Sequence, residues 1–366
     1  MKLQGSLWGL LAVGTTVAGK SSFWSTGQRV HDWIWTRFVH PQTNLLQTRL
    51  AGGDPLEDGS LYGGFYLACL VDAYAVTGEE RLREEAQRIF SGLWRNATVS
   101  GRPGFLARGV APDGTYRGDP SVDQYTGLLY GCWRYFHSPL SGPPEQERIR
   151  RLFAEVLTRL EANDWRITRE NGEVTTFGHL EALRPTRAER LLAFLRAGYE
   201  VTGQAHWLEV YHQLLPPRLS HCRDYTGTVS WVGLQSQVCL RMLMALETAP
   251  QVRETYLAGT RHLAEVCRPP MAAFRQVPPP TAGEEALAPF YREGRLFTET
   301  IRIPLEAVTV LLLTEGEPFP SVALQVLEEM NERLEVERIT LSTAAVPWEW
   351  NQWLALGKGK GEGEVD

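Results

Sequence analysis

Five times along this chain, a helical segment that is apolar on nearly every side is followed by one that is apolar on one side only. Segment 61–76, "LYGGFYLACLVDAYAV", carries the single charge Asp72. Segment 80–95 turns Leu82, Ala86, Ile89, Phe90, Leu93 and Trp94 one way and its charges the other. The alternation recurs in "LLYGCWRYF" then 145–161, and in "LLAFLRAGY" then 205–215. It recurs again in 231–246 then 251–267, and in "IRIPLEAVTVLLL" then 321–334. A helix apolar all round must be buried, whereas an amphipathic one coats a surface. The chain therefore reads as stacked inner and outer helices, and strand signals are scarce.

Two segments repeat a motif: "AYAVTGEERL" (73–82) and "GYEVTGQAHWL" (198–208). Each reads as a helix stopped by Thr-Gly and followed by a second helix, with Gly78 and Gly203 as the left-handed residue of the stop. Closing the pairs into a ring gives an all-α fold, an (α/α)6 toroid of inner and outer hairpins. The sixth pair would come from a helix at about 26–39 and the segment "PWEWNQWLAL". An open helical solenoid is the alternative.

The domain spans 20–356. Residues 1–19, with Lys2 and an apolar run from Leu7 to Ala18, read as a short secretory signal, which places the protein in the periplasm or outside the cell. A first helix of the domain, in a cytoplasmic protein, is the alternative. Residues 357–366, "GKGKGEGEVD", read as a disordered tail. No stretch is long and apolar enough to span a bilayer. A net charge of −6 without a long basic run excludes a nucleic-acid footprint. Cys69, Cys132, Cys222, Cys239 and Cys267 are odd in number and widely spaced, so they form neither a disulfide framework nor a zinc site. No metal or cofactor motif is present, and Asn96-Ala97-Thr98 matches a glycosylation sequon.

Ring geometry brings the loops that enter the inner helices to one end, and those loops collect carboxylates, arginines and aromatics. They contribute Asp58 before the first inner helix and Asp119 and Asp123 before the second. Later entries add His179, Arg184 and Arg187, then His221, Asp224, Tyr225 and Trp231, and last Glu299 and Arg302. Ser121-x-x-Gln124 reads as a capping box that sets Asp123 in a first helical turn, where the dipole favours its anion. Asp123 is then either a complement to that dipole or a catalytic group. The arginines suit a carboxylate or sulfate, and Tyr125, Tyr225 and Trp231 offer stacking faces, although pairing with a nearby carboxylate and core packing are the stronger accounts of them.

The run "DGSLYGGFYLACLVDAYAVTGEERLREEA", followed by "DGTYRGDPSVDQYTGLLYG", resembles the six-hairpin glycosidase superfamily, nearest to unsaturated glucuronyl and rhamnogalacturonyl hydrolases. The likeness covers about residues 55–315 as a pattern of hairpins. The resemblance implies a glycoside hydrolase acting on acidic or unsaturated uronic oligosaccharides, with an Asp near the start of an inner helix as general acid/base. Asp123 fits that position best, and Asp58 holds the comparable entry one hairpin earlier. The uronate-binding motif of those hydrolases is not recognisable around them. A polysaccharide lyase, and a non-catalytic glycan-binding or scaffold protein on the same toroid, remain the alternatives.

Overall fold

The computed structural model describes residues 22–46, 58–228 and 230–335. It is 68% helix and 4% strand, an all-α architecture. The alternation of buried with amphipathic helices is present in it. The buried helices are α2 (Gly59–Thr77), α4 (Val122–Phe136), α6 (Ala188–Thr202), α8 (Ser230–Leu246) and α12 (Ile303–Leu312). Alternating with them come α3 (Arg81–Thr98), α5 (Pro143–Ala162), α7 (Ala205–Leu219), α9 (Pro250–Cys267) and α13 (Phe319–Arg333). Before the first pair stands α1 (Ser22–Arg37). Short helices α10 (Glu284–Arg292) and α11 (Gly294–Phe297) and a π-helical turn (Thr298–Arg302) lead into α12.

Each buried helix packs on its own amphipathic partner and on the buried helix before it: α2 on α4, α4 on α6, α6 on α8, α8 on α12. Because every hairpin turns the chain round, the buried helices all start at the same end. Their apolar side chains merge into one core running from Val39 to Leu334.

The Thr-Gly stops are built alike. Gly78 (φ 67°) and Gly203 (φ 71°) are left-handed and donate their N–H to Tyr74 and Tyr199, each at 2.8 Å. Thr77 and Thr202 return their hydroxyls to the carbonyls of Ala73 and Gly198. The glycines of α2 have a packing cause. A Cβ on Gly64 would lie 1.9 Å from the Gly127 carbonyl oxygen, and one on Gly131 would lie 2.3 Å from that of Gly64, so α2 and α4 cross backbone to backbone. Asp72 finds its counter-charge in Arg134 on α4, which also donates to the Tyr130 hydroxyl at 3.2 Å. The sequon asparagine Asn96 is wholly buried inside α3 and donates to Ser60 Oγ at 2.6 Å, closed to modification in the folded protein.

One element departs from the sequence reading. Residues Arg166–Thr168 (β1) and Val174–His179 (β2) form an antiparallel hairpin beside α4 and α5. All five cysteines are free, and burial pushes the thiols of Cys69 and Cys267 up to about 12. Among the described residues no helix is long and apolar enough to cross a membrane. The N-terminal signal, the "PWEWNQWLAL" segment and the tail lie outside the described residues.

Candidate functional site

The entries to α2 and α4 are tied together by one side chain. Gln124, in the first turn of α4, is buried; its Oε1 accepts from the Ser121 N–H at 2.7 Å and the Ser121 hydroxyl at 2.6 Å. That is the reach-back expected of a capping box. Its Nε2 then donates across to Asp58 Oδ1. Asp58 precedes α2 in the left-handed region (φ 43°), a conformation Asp adopts at a modest backbone cost. Arg108 Nη2 holds the same Asp58 oxygen at 2.9 Å.

Asp123, next to Gln124, is 22% exposed, and its Oδ1 accepts from Nη1 of Arg190 at 2.8 Å. Arg190 lies on α6 and is wholly buried. Arg187, which caps the start of the same helix, senses both. Burial, helped by the Arg190 charge and opposed by Asp123, brings its guanidinium down to about 10. Opposite them, Tyr62 of α2 has its phenol raised by burial, with Arg302 opposing and Asp58, Glu306 and Asp123 adding to the rise. Arg302 and Glu306, at the start of α12, pair with each other at 2.8 Å and are largely covered. Charges from the starts of α2, α4, α6 and α12 are thus close enough to act on one another.

The other expected residues fall elsewhere. Asp119 is drawn to Arg169 of the β-hairpin at 3.1 Å, and does not supply Asp123 with a neighbouring charge through any contact among the described residues. Tyr125 is 1% exposed, with its hydroxyl on Gly104 and Leu106, so its ring is core and offers no stacking face. Tyr225 is also fully buried. His179 is exposed and paired with Glu181 at 3.0 Å. Asp224 is exposed, closes a turn on Thr226 at 2.7 Å, and lies 3.8 Å from His262. Glu299 pairs with Arg295 on the surface. Arg184 is exposed at the rim, while His221 and Trp231 are partly covered.

Gln124, Arg108, Arg190 and Tyr62 belong to the site and were not singled out from sequence. Gln124 reads locally as a cap only. Arg190 carried a usable signal: Glu189-Arg190 is a charged pair in the first turns of a helix that is otherwise buried. Such a pair requires partners.

The arrangement brings two carboxylates against guanidinium groups, with further arginines beside them. Among the described residues no cluster of His, Cys, Asp and Glu could hold a metal ion. Comparison with protein-family models and with curated proteins finds no match to this chain.

Proposed function

We propose that the hairpins close into an (α/α)6-type toroid and that the end where the buried helices begin binds a saccharide. In this reading the protein is a glycoside hydrolase of acidic or unsaturated uronic oligosaccharides, with Asp123 as its general acid/base. The ring is supported by the packing of α13 on α1, which brings the last described helix back to the first.

The observation that carries the chemistry is the pairing of Asp123 with the buried Arg190, beside an Asp58 locked to Gln124 and Arg108. Ordinary hydrolysis needs one carboxyl protonated as acid and one ionised. Hydration of an unsaturated uronide asks less: one carboxylate takes a proton from water as its oxygen adds to the double bond, and returns that proton to the other carbon. Arg187 and Arg184 lie where a sugar carboxylate would be met by planar guanidinium groups. Export of the protein accompanies this reading through residues 1–19.

A second reading, a glycan-binding module without turnover, is favoured by one fact. Asp58, Asp119 and Asp123 are all engaged by arginines, which suits a site that orients an acidic sugar and does nothing to it.

The test is incubation of the purified protein and Asp123→Asn with neutral and unsaturated uronic oligosaccharides. Loss of the unsaturated uronide's ultraviolet absorbance with the wild type, absent in the variant, is the expected result. Equal saccharide binding by both proteins without turnover would replace the enzyme reading with the binding module.

A further inference from the structure

We propose that Arg190 is a positioning residue for Asp123, fixing where the Asp123 carboxylate stands at the mouth of the site. The inference rests on the proposed function for its kinetic consequence, though not for its geometry.

Arg190 is a long, fully charged side chain with no exposure at all, yet it makes one hydrogen bond, from Nη1 to Asp123. Its Nε and Nη2 meet no acceptor among the described residues. The adjacent Glu189 is also wholly buried, with Ser236 beside it. A buried arginine used in this way is a poor means of stabilising a fold, because desolvation offsets the Coulomb gain and an apolar residue of the same volume often does as well or better. Stability alone therefore does not account for it.

What the arrangement does accomplish is geometric. Asp123 stands in a first turn, partly exposed, where a carboxylate is otherwise free to choose among rotamers. A guanidinium anchored in the α6 core reaches it from behind and pins one oxygen at 2.8 Å, leaving Oδ2 for whatever enters. Glu189 makes no hydrogen bond to Arg190 among the described residues. The loop that leads into α6 carries Arg184 and Arg187, so the residues that would meet an acidic group stand just before the helix that holds the residue orienting the base.

The experiment compares Arg190→Met and Arg190→Lys with the wild type, by crystal structure and by kinetics on whichever uronide the wild type turns over. In Arg190→Met the Asp123 carboxylate should leave its wild-type position. kcat per folded molecule should then fall about a hundredfold with KM nearly unchanged, the effect expected of a misplaced group. Arg190→Lys keeps the charge but not the fork and should recover part of the loss. A purely structural role would lower the folded fraction and leave kcat per folded molecule intact. An unmoved carboxylate, or an Arg190→Met enzyme with wild-type kcat, overturns the proposal. Should Arg190→Met fail to fold, the lysine variant carries both readouts. Should the wild type turn over nothing, it is the proposed function that fails, and the position of the carboxylate alone decides this inference.

Discussion

Replacing Gly64 with Ala tests the crossing that sets the distance between Asp58 and Asp123. The new methyl carbon would stand 1.9 Å from the Gly127 carbonyl oxygen, 2.2 Å from its carbon and 2.9 Å from the Leu128 nitrogen. Ordinary contact begins near 3.4 Å, so α2 and α4 must part by roughly 1.5 Å (3.4 − 1.9), and backbone cannot turn aside as a side chain can. Overpacking of this kind costs about 1–3 kcal/mol or more. Removing a glycine from a helix interior returns about 0.5–1 kcal/mol. Gly63 is the internal control. Its added methyl meets only Leu93 Cδ2, at 3.1 Å, the end of a side chain that can move. Urea unfolding followed by circular dichroism should show Gly64→Ala destabilised by about 2 kcal/mol or more. Gly63→Ala should fall within about 1 kcal/mol of the wild type, on either side. Equal behaviour of the two variants, or a Gly64→Ala protein as stable as the wild type, would refute the backbone crossing as the reason for the glycine.

Two further expectations concern buried charge. The Glu189 carboxyl is raised above 4.5 in the folded protein, so its protonation favours folding, and that contribution is lost as pH rises from about 4.5 through the folded value. Glu189→Gln should therefore gain stability relative to the wild type as pH increases, read from paired urea melts at acid and neutral pH; a constant difference would contradict it. Asp72→Asn leaves the buried Arg134 without its full counter-charge and should cost about 3–5 kcal/mol in the same melts, whereas a loss below about 1 kcal/mol would mean that Arg134 is satisfied by other groups.

Helix positions were legible because their signal is local. The segment read as 80–95 became Arg81–Thr98, 145–161 became Pro143–Ala162, and 251–267 became Pro250–Cys267. The β-hairpin was missed although its signal is present: Asn171-Gly172 sits between two short β-branched runs, with Gly172 at φ 89°. Runs of three and six residues are too short for periodicity to register against long helices. The site was legible by half. Which residues stand at the entries follows from where the buried helices begin, so Asp58 and Asp123 could be named. Their partners could not, because Arg190 lies 67 residues from Asp123, and Gln124 lies 66 from Asp58. Pairings at that separation are fixed by how the hairpins stack, and no local spacing encodes them. Tyr125 shows the converse: an aromatic one residue beyond Gln124 faces the opposite way, since consecutive positions on a helix do not share a face.

The order in which the buried helices touch has a kinetic meaning. Each packs on the one synthesised before it, so during translation every completed hairpin finds its docking surface already made, and most contacts form between neighbours in sequence. The contact of α13 with α1 is of another kind, because it joins the end of the described chain to its beginning and must wait for nearly all of it. Closing so long a loop carries an entropic cost that grows slowly with length and falls on a single step. The core can therefore consolidate progressively, and a partly made chain would be folded over much of its length before α13 reaches α1.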